Sequence, residues 1–130
     1  MDHKSTGEAF LNRNAQHDDV HVTPSGLQYT IRRRGDGPTP GPDATVTVNY
    51  HGTFINNKKF DSSYDRFEPL TINLKNVIAG WQEGLQLMPV GSEYKLYVPS
   101  ALAYGDTGFA EIIPPHAVLI FDIELLSIEG

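Results

Sequence analysis

From Leu27 onward, apolar residues fall on every second position in several separate stretches. Leu27, Tyr29 and Ile31 share one side of an extended segment, and Val46, Val48 and Tyr50 share another. Tyr94, Leu96 and Val98 form a third set. Phe121, Ile123 and Leu125 form a fourth, with Asp122 and Glu124 on the opposite side. Period-two alternation predicts strands with one dry and one wet face, as in antiparallel sheets. One stretch keeps a different period. Val77, Trp81, Leu85 and Met88 stand at i, i+4, i+8 and i+11, a single helix face, and Pro89 and Gly91 stop that helix. The fold class predicted is α+β: a curved antiparallel sheet with one short helix against its concave face. A short amino-terminal helix is also predicted, over about Thr6 to His17. Ser5 and Glu8 in "STGE" have capping-box spacing, ahead of Ala9, Phe10 and Leu11. Its apolar face is narrow, so its anchoring is expected to be weak. "VTPSG" ends it, and "GDGPTPGPD", Gly35 to Asp43, is a turn-rich connection.

Composition narrows the function classes. The chain has 130 residues, which favours one domain, and 39% hydrophobic residues suffice for a core. A net charge of −6 argues against a nucleic-acid partner. The run Arg32, Arg33, Arg34 follows an apolar alternation and reads as the solvated end of a strand. The absence of cysteine excludes disulfides, a thiol nucleophile and zinc–thiolate sites. No apolar run approaches a membrane span. No serine sits in a nucleophile elbow, and no phosphate-cradling glycine motif is present. His17 and His21 in "HDDVH" have the i, i+4 spacing of helical zinc ligands. Aspartate stands where the zinc-protease motif needs glutamate, and the helix ends there, so a solvated helix terminus is expected instead.

One loop resists this description. "AYGDTGFAEIIPPH", Ala103 to His116, has the glycines and prolines of a surface segment, yet it carries Tyr104, Phe109, Ile112 and Ile113. Such residues either plug the core or line a place that another molecule enters. Taken singly, Tyr50, Phe60, Trp81 and Phe121 read as ordinary core aromatics.

Taken together, they are more informative. "FDSS" at Phe60 to Ser63, "VIAGW" at Val77 to Trp81, "AYG" at Ala103 to Gly105 and "IIPPH" at Ile112 to His116 resemble the FKBP family of peptidyl-prolyl cis/trans isomerases. Four motifs match in order and at compatible spacing. The resemblance covers about residues 20–130, leaving residues 1–19 as a helical extension. It implies five to six strands wrapped around one short helix. "GEAFLNRNA" followed by "SGLQY" is similar to the junction of the bacterial Mip-like group, where a long helix leads from a dimerisation module. A dimer is therefore expected only if such a module is missing from this chain. The same similarity favours the periplasm or cell envelope over the cytoplasm.

The resemblance also implies the chemistry. Tyr50, Phe60, Leu70, Val77, Ile78, Trp81, Tyr104 and Phe121 would line a shallow pocket floored by Trp81, with Phe109, Ile112 and Ile113 overhanging its mouth. Asp61, Tyr104, Tyr50 and Phe60 would act on the substrate. Asp61 would contact the Tyr50 hydroxyl and Arg66, and the Ile78 N–H and Tyr104 hydroxyl would each hold a substrate carbonyl. Rotation about an X–Pro bond meets a barrier of about 18–20 kcal/mol because the amide is conjugated. A dry aromatic pocket favours the twisted, less dipolar amide, and only such differential binding accelerates the step. No metal, cofactor or covalent intermediate is implied. The partners implied are proline-containing peptides, unfolded chains, and macrolides such as rapamycin or tacrolimus. A proline-peptide-binding chaperone with secondary or no isomerase activity is the alternative. Phe109 stands where many members carry His or Gly, and Glu111 where Gly is frequent.

Overall fold

The computed structural model describes residues 3–129. In chain order the elements are α1 (His3–Asn14), β1 (His21–Val22), β2 (Gln28–Arg33), β3 (Thr45–Thr53), β4 (Lys59–Ser62), β5 (Leu70–Asn73), α2 (Ala79–Leu85), β6 (Glu93–Val98) and β7 (Leu119–Ile128), with single 3-10 turns at Tyr64–Arg66, Leu74–Asn76 and Ser100–Leu102. The strands form one antiparallel sheet in the order β1-β2-β6-β7-β3-β4, with β5 also on β3. The sheet thus has seven strands rather than five or six. The difference has two sources. β1 is a two-residue strand paired to β2, and β4 and β5 share one flank of β3. β5 pairs with Thr45–Val48 and β4 with His51–Thr53, so the chain leaves the sheet between them. Register shifts at Ile31/Arg33, Thr47/Val48 and Gly52/Thr53 bend and twist the sheet.

Alternation predicts three of the four strands well. Val46, Val48, Tyr50, Tyr94, Leu96, Val98, Phe121, Ile123 and Leu125 are all buried, whereas Asp122 and Glu124 point to the wetter face. β2 departs from the pattern. Leu27 is buried and Tyr29 half-buried, but Ile31 is exposed. α2 packs against β6, and β2 lies one strand further out, so Ile31 finds no cover. Tyr29 is instead held between His21, at 4.9 Å, and Tyr94, at 5.6 Å.

Both helices differ from their expected bounds. α1 runs from His3 to Asn14 rather than from Thr6 to His17. Ser5 lies within it rather than at its N-cap position. The helix docks through Gly7, buried against Val118, and through a buried amide pair in which Asn14 Nδ2 donates to Gln28 Oε1 at 2.8 Å. Gln28 Nε2 in turn donates to the Leu11 carbonyl. Those contacts anchor it where an apolar stripe is lacking. His17 follows the end of α1 and His21 lies in β1, so the two histidines do not share a helix face.

α2 is two turns long. It ends at Leu85 in tight turns from Leu87 N to Gly84 O and from Met88 N to Leu85 O. Val77 precedes the helix in extended backbone, yet Trp81, Leu85 and Met88 are buried as the spacing implies. Gly80 and Gly84 face the sheet. A Cβ on Gly80 would stand 2.5 Å from Val98 Cγ1, and one on Gly84 2.6 Å from Leu96 Cδ1. Val98 is fully buried and β-branched, so it has no rotamer to retreat into. In Gly80→Ala the overpacking should therefore outweigh the gain of up to about 1 kcal/mol in helix propensity, for a net loss of roughly 1–2 kcal/mol. Urea unfolding should show a lower midpoint at unchanged slope. A midpoint equal to or above wild type would mean that α2 can lift off the sheet.

Candidate functional site

The concave side of the sheet, the start of α2 and the loop after β6 enclose a cavity of about 520 Å³. Four rings form its interior. Trp81, only 5% exposed, meets Tyr50 and Phe121 edge-to-face, each at 5.2 Å, and Phe121 meets Phe60 edge-to-face at 5.6 Å. Edge-to-face contacts put the positive rim of one ring on the negative face of the next, which fixes their mutual angle. β3 supplies Tyr50, β4 supplies Phe60 and Asp61, and β7 supplies Phe121. Val77 and Ile78 reach the cavity from the chain entering α2. Ile78 is the N-cap residue. Its carbonyl accepts from Trp81 and Gln82, and its own N–H lies outside the helical ladder.

Asp61 stands at the edge of the cavity in a closed hydrogen-bonded set. Its Oδ2 accepts from the Tyr50 hydroxyl at 2.5 Å, and its Oδ1 from Arg66 Nη1 at 2.8 Å and from the Ser62 N–H at 2.9 Å. Arg66 Nη2 also donates to the Tyr50 hydroxyl at 2.8 Å, and the guanidinium lies 5.7 Å from the Tyr50 ring centre. Partial burial pushes the Asp61 carboxyl up, but donation from Tyr50, Arg66 and Ser62 outweighs it and holds the group below its ordinary range. Burial and the Asp61 carboxylate raise the Tyr50 phenol, against the opposing pull of Arg66. Tyr104 is raised by burial and then by the charge of Asp61. At neutral pH the cavity therefore presents one carboxylate and two neutral phenols.

The loop that follows Tyr104 is tied to itself. Phe109 N donates to Ile113 O and Ile113 N to Phe109 O, at 2.9 and 3.0 Å, and His116 N donates to Gly105 O. Phe109 is half exposed and its ring rests against Tyr104 at 5.1 Å. Of the thirteen side chains that the resemblance implies, Tyr50, Phe60, Asp61, Leu70, Val77, Ile78, Trp81, Tyr104, Phe109 and Phe121 converge on the cavity. Arg66 lies behind Asp61. Ile112 and Ile113 do not line the cavity. Ile113 is 4% exposed and plugs the core, whereas Ile112 is 53% exposed and faces a neighbouring groove. Ile113 is a bridge residue, paired with Phe109, whereas Ile112 stands in the turn that this bridge closes, which divides these two. Ile72, Asn76 and Ala103 line the cavity without having been singled out. Ile72 follows Leu70 by two residues in β5, so alternation could have found it. Among the described residues, no group of three or more His, Cys, Asp or Glu side chains is arranged to hold a metal ion.

The family sequence model described as FKBP-type peptidyl-prolyl cis-trans isomerase matches residues 37–126. The chain belongs to that family. A second model, described as the domain amino terminal to FKBP-type peptidyl-prolyl isomerase, matches residues 1–31. This FKBP-type chain is 50% identical over 129 residues to the FKBP-type peptidyl-prolyl cis-trans isomerase FkpA of Aeromonas hydrophila, covering 99% of this chain and 48% of that protein. It is 44% identical over 128 residues to the outer membrane protein MIP of Legionella longbeachae, covering 98% and 55%. The chain thus spans about half the length of these curated relatives. Among solved structures, FkpA from Escherichia coli superposes with a TM-score of 0.95 at 41% identity, covering 98% of this chain and 60% of that one. A peptidyl-prolyl cis-trans isomerase from Pseudomonas syringae superposes at 0.92 with 32% identity, covering 98% and 93%.

The carboxylate of this FKBP-type pocket can be titrated directly. Because the folded pKa of Asp61 is lowered, its contribution to stability is present above the unfolded value near 3.8 and is lost as pH falls through the folded pKa. Carboxyl-carbon NMR should place the Asp61 midpoint below 3.8 in wild type and higher in Arg66→Ala. A midpoint unmoved by Arg66→Ala would show that the guanidinium contributes nothing to holding the charge.

Proposed function

We propose that the protein accelerates cis/trans rotation of X–Pro bonds in peptides and folding chains. The observation that carries this reading is the aromatic cavity of Tyr50, Phe60, Trp81 and Phe121 with a fixed carboxylate at its edge, in a chain of the FKBP-type family. The volume falls within the usual range of small-ligand sites, roughly 300–1,000 Å³. The proline ring enters against Trp81. The Ile78 N–H and the Tyr104 hydroxyl each receive a substrate carbonyl. Asp61 lies against the rotating amide, and Tyr50 and Arg66 keep it ionised and oriented. As the bond twists, its carbonyl loses dipole, so the apolar walls bind the twisted state better than the planar one. Every bond formed in this scheme is non-covalent, and no proton moves. Asp61, Tyr104, Tyr50 and Phe60 are the residues that touch the rotating bond, within residues 20–130 as the isomerase domain and 1–19 as its extension. Rapamycin or tacrolimus would compete for the same cavity. The name of the Legionella longbeachae relative favours the cell envelope as the compartment. No helix among the described residues is long and apolar enough to cross a membrane.

A prolyl-peptide exchange assay at micromolar protein tests the reading. Acceleration of the slow phase is expected, and an unchanged slow phase would overturn it. Trp81 is the chain's one tryptophan, so its emission should shift or quench when rapamycin binds. A complex seen by calorimetry without that change would remove the indole from the site. Substrate choice should follow Phe109, which meets the residue before proline. Leu-Pro should exceed Glu-Pro by roughly 10- to 100-fold in kcat/KM, and Phe109→Gly should narrow the gap. Equal rates on both peptides in wild type would take Phe109 out of substrate recognition.

A further inference from the structure

A second apolar groove, of about 380 Å³, runs beside the aromatic cavity. Phe54, Ile55, Lys58, Ile112, Pro114 and Val118 are among its walls. It adjoins the cavity across two shared partitions. The first is a ring pair: Phe54 faces the groove, Phe60 faces the cavity, and their centres are 5.0 Å apart. The second is the paired loop, which turns Phe109 to the cavity and Ile112 to the groove, with Ile113 buried between. Ile112 is 53% exposed, although a branched aliphatic side chain gains by being covered.

We propose that this groove binds an apolar side chain of the same substrate chain, two to four residues before the proline. The proposal rests on the isomerase reading above. Phe109 meets the residue that precedes proline, so a chain continuing past that loop in the same direction comes to Ile112 next. An extended chain advances about 3.3–3.6 Å per residue, so two to four residues carry it over a partition the width of one ring pair and into the groove. The walls also set the polarity of the preferred sequence. The ionisable side chains on them are His3 and Lys58, and among the described residues Lys58 has no carboxylate within ion-pairing distance. An acidic residue next to the apolar one is therefore accepted here, opposite Lys58. The short contact with proline and its neighbour becomes an extended one, suited to unfolded chains rather than to dipeptides.

The test compares two peptides that are identical around proline and carry Leu or Ser three residues before it, together with a short peptide that stops before that position. The full chain is used, and kcat/KM is read by exchange NMR. Wild type should favour the Leu peptide by about 10-fold. Ile55→Ser and Ile112→Ser should each reduce the preference to roughly 2-fold or less, as expected on loss of an apolar contact. Ile55 lies outside the cavity, and Ile55→Ser should turn over the short peptide like wild type. Amide shifts at Ile55 and Val118 on adding the Leu peptide, absent with the Ser peptide, would support the same contact. Equal rates on Leu and Ser peptides, with normal turnover of the short one, would overturn the groove and leave the isomerase reading standing. A preference that survives both variants would also overturn it. A Leu preference that vanishes as the protein dimerises at higher concentration would make a second copy the occupant, against the proposal. No turnover of any peptide would remove both readings.

Discussion

The closeness with which α2 rests on the sheet sets everything else in the cavity. With hydrogen in place of Cβ at Gly80 and Gly84, the helix backbone settles onto Val98 and Leu96. That approach presses Trp81 edge-on against Tyr50 and Phe121, and it brings the Ile78 N-cap to the cavity mouth. A larger residue at either glycine would raise the helix and tilt the indole. Two turns would be too few for an isolated helix, so α2 exists because its face is buried. The stability of the helix and the shape of the cavity are thus one packing arrangement.

The polar edge is held by a different principle. Asp61 and Arg66 are each more than two-fifths exposed, so their ion pair is screened and contributes modestly to stability. What it supplies is orientation. Three donors converge on the two carboxylate oxygens, which leaves the group little freedom to turn. The same hydrogen bonds keep it charged despite partial burial. The cavity therefore joins rigid apolar walls to a charge fixed by neighbours rather than by depth.

Much of this was legible in the sequence where the signal is local. Period-two alternation depends only on the chain itself, and it placed Val46 to Tyr50, Tyr94 to Val98 and Phe121 to Leu125 correctly. Ile31 obeys the same period but lies on a strand that the helix does not cover, and cover is a property of the whole fold. The "STGE" signal does not mark the start of α1, because Ser5 lies inside the helix, whose docking rests on Gly7 and Asn14. The pair Ile112 and Ile113 looked like one apolar unit. Only the hydrogen bonds between Phe109 and Ile113 decide that one side chain enters the core and the other a groove. Asn76 and Ala103 reach the cavity simply by standing next to Val77 and Tyr104, and nothing in their chemistry marks them beforehand.

The order of strands carries a consequence for how this molecule comes into being. β7 lies between β6 and β3 in the sheet, yet it is the last of the described strands in chain order. During synthesis from the amino terminus, residues 1–118 emerge with β3 and β6 separated by an empty lane. The wall that Phe121 provides is then absent, and Trp81 has one of its two edge contacts missing. Such a nascent chain exposes two unpaired strand edges and half a cavity, a form prone to association. The aromatic cavity of this FKBP-family chain is thus closed on its Phe121 side only once the ribosome has added residues 119–128.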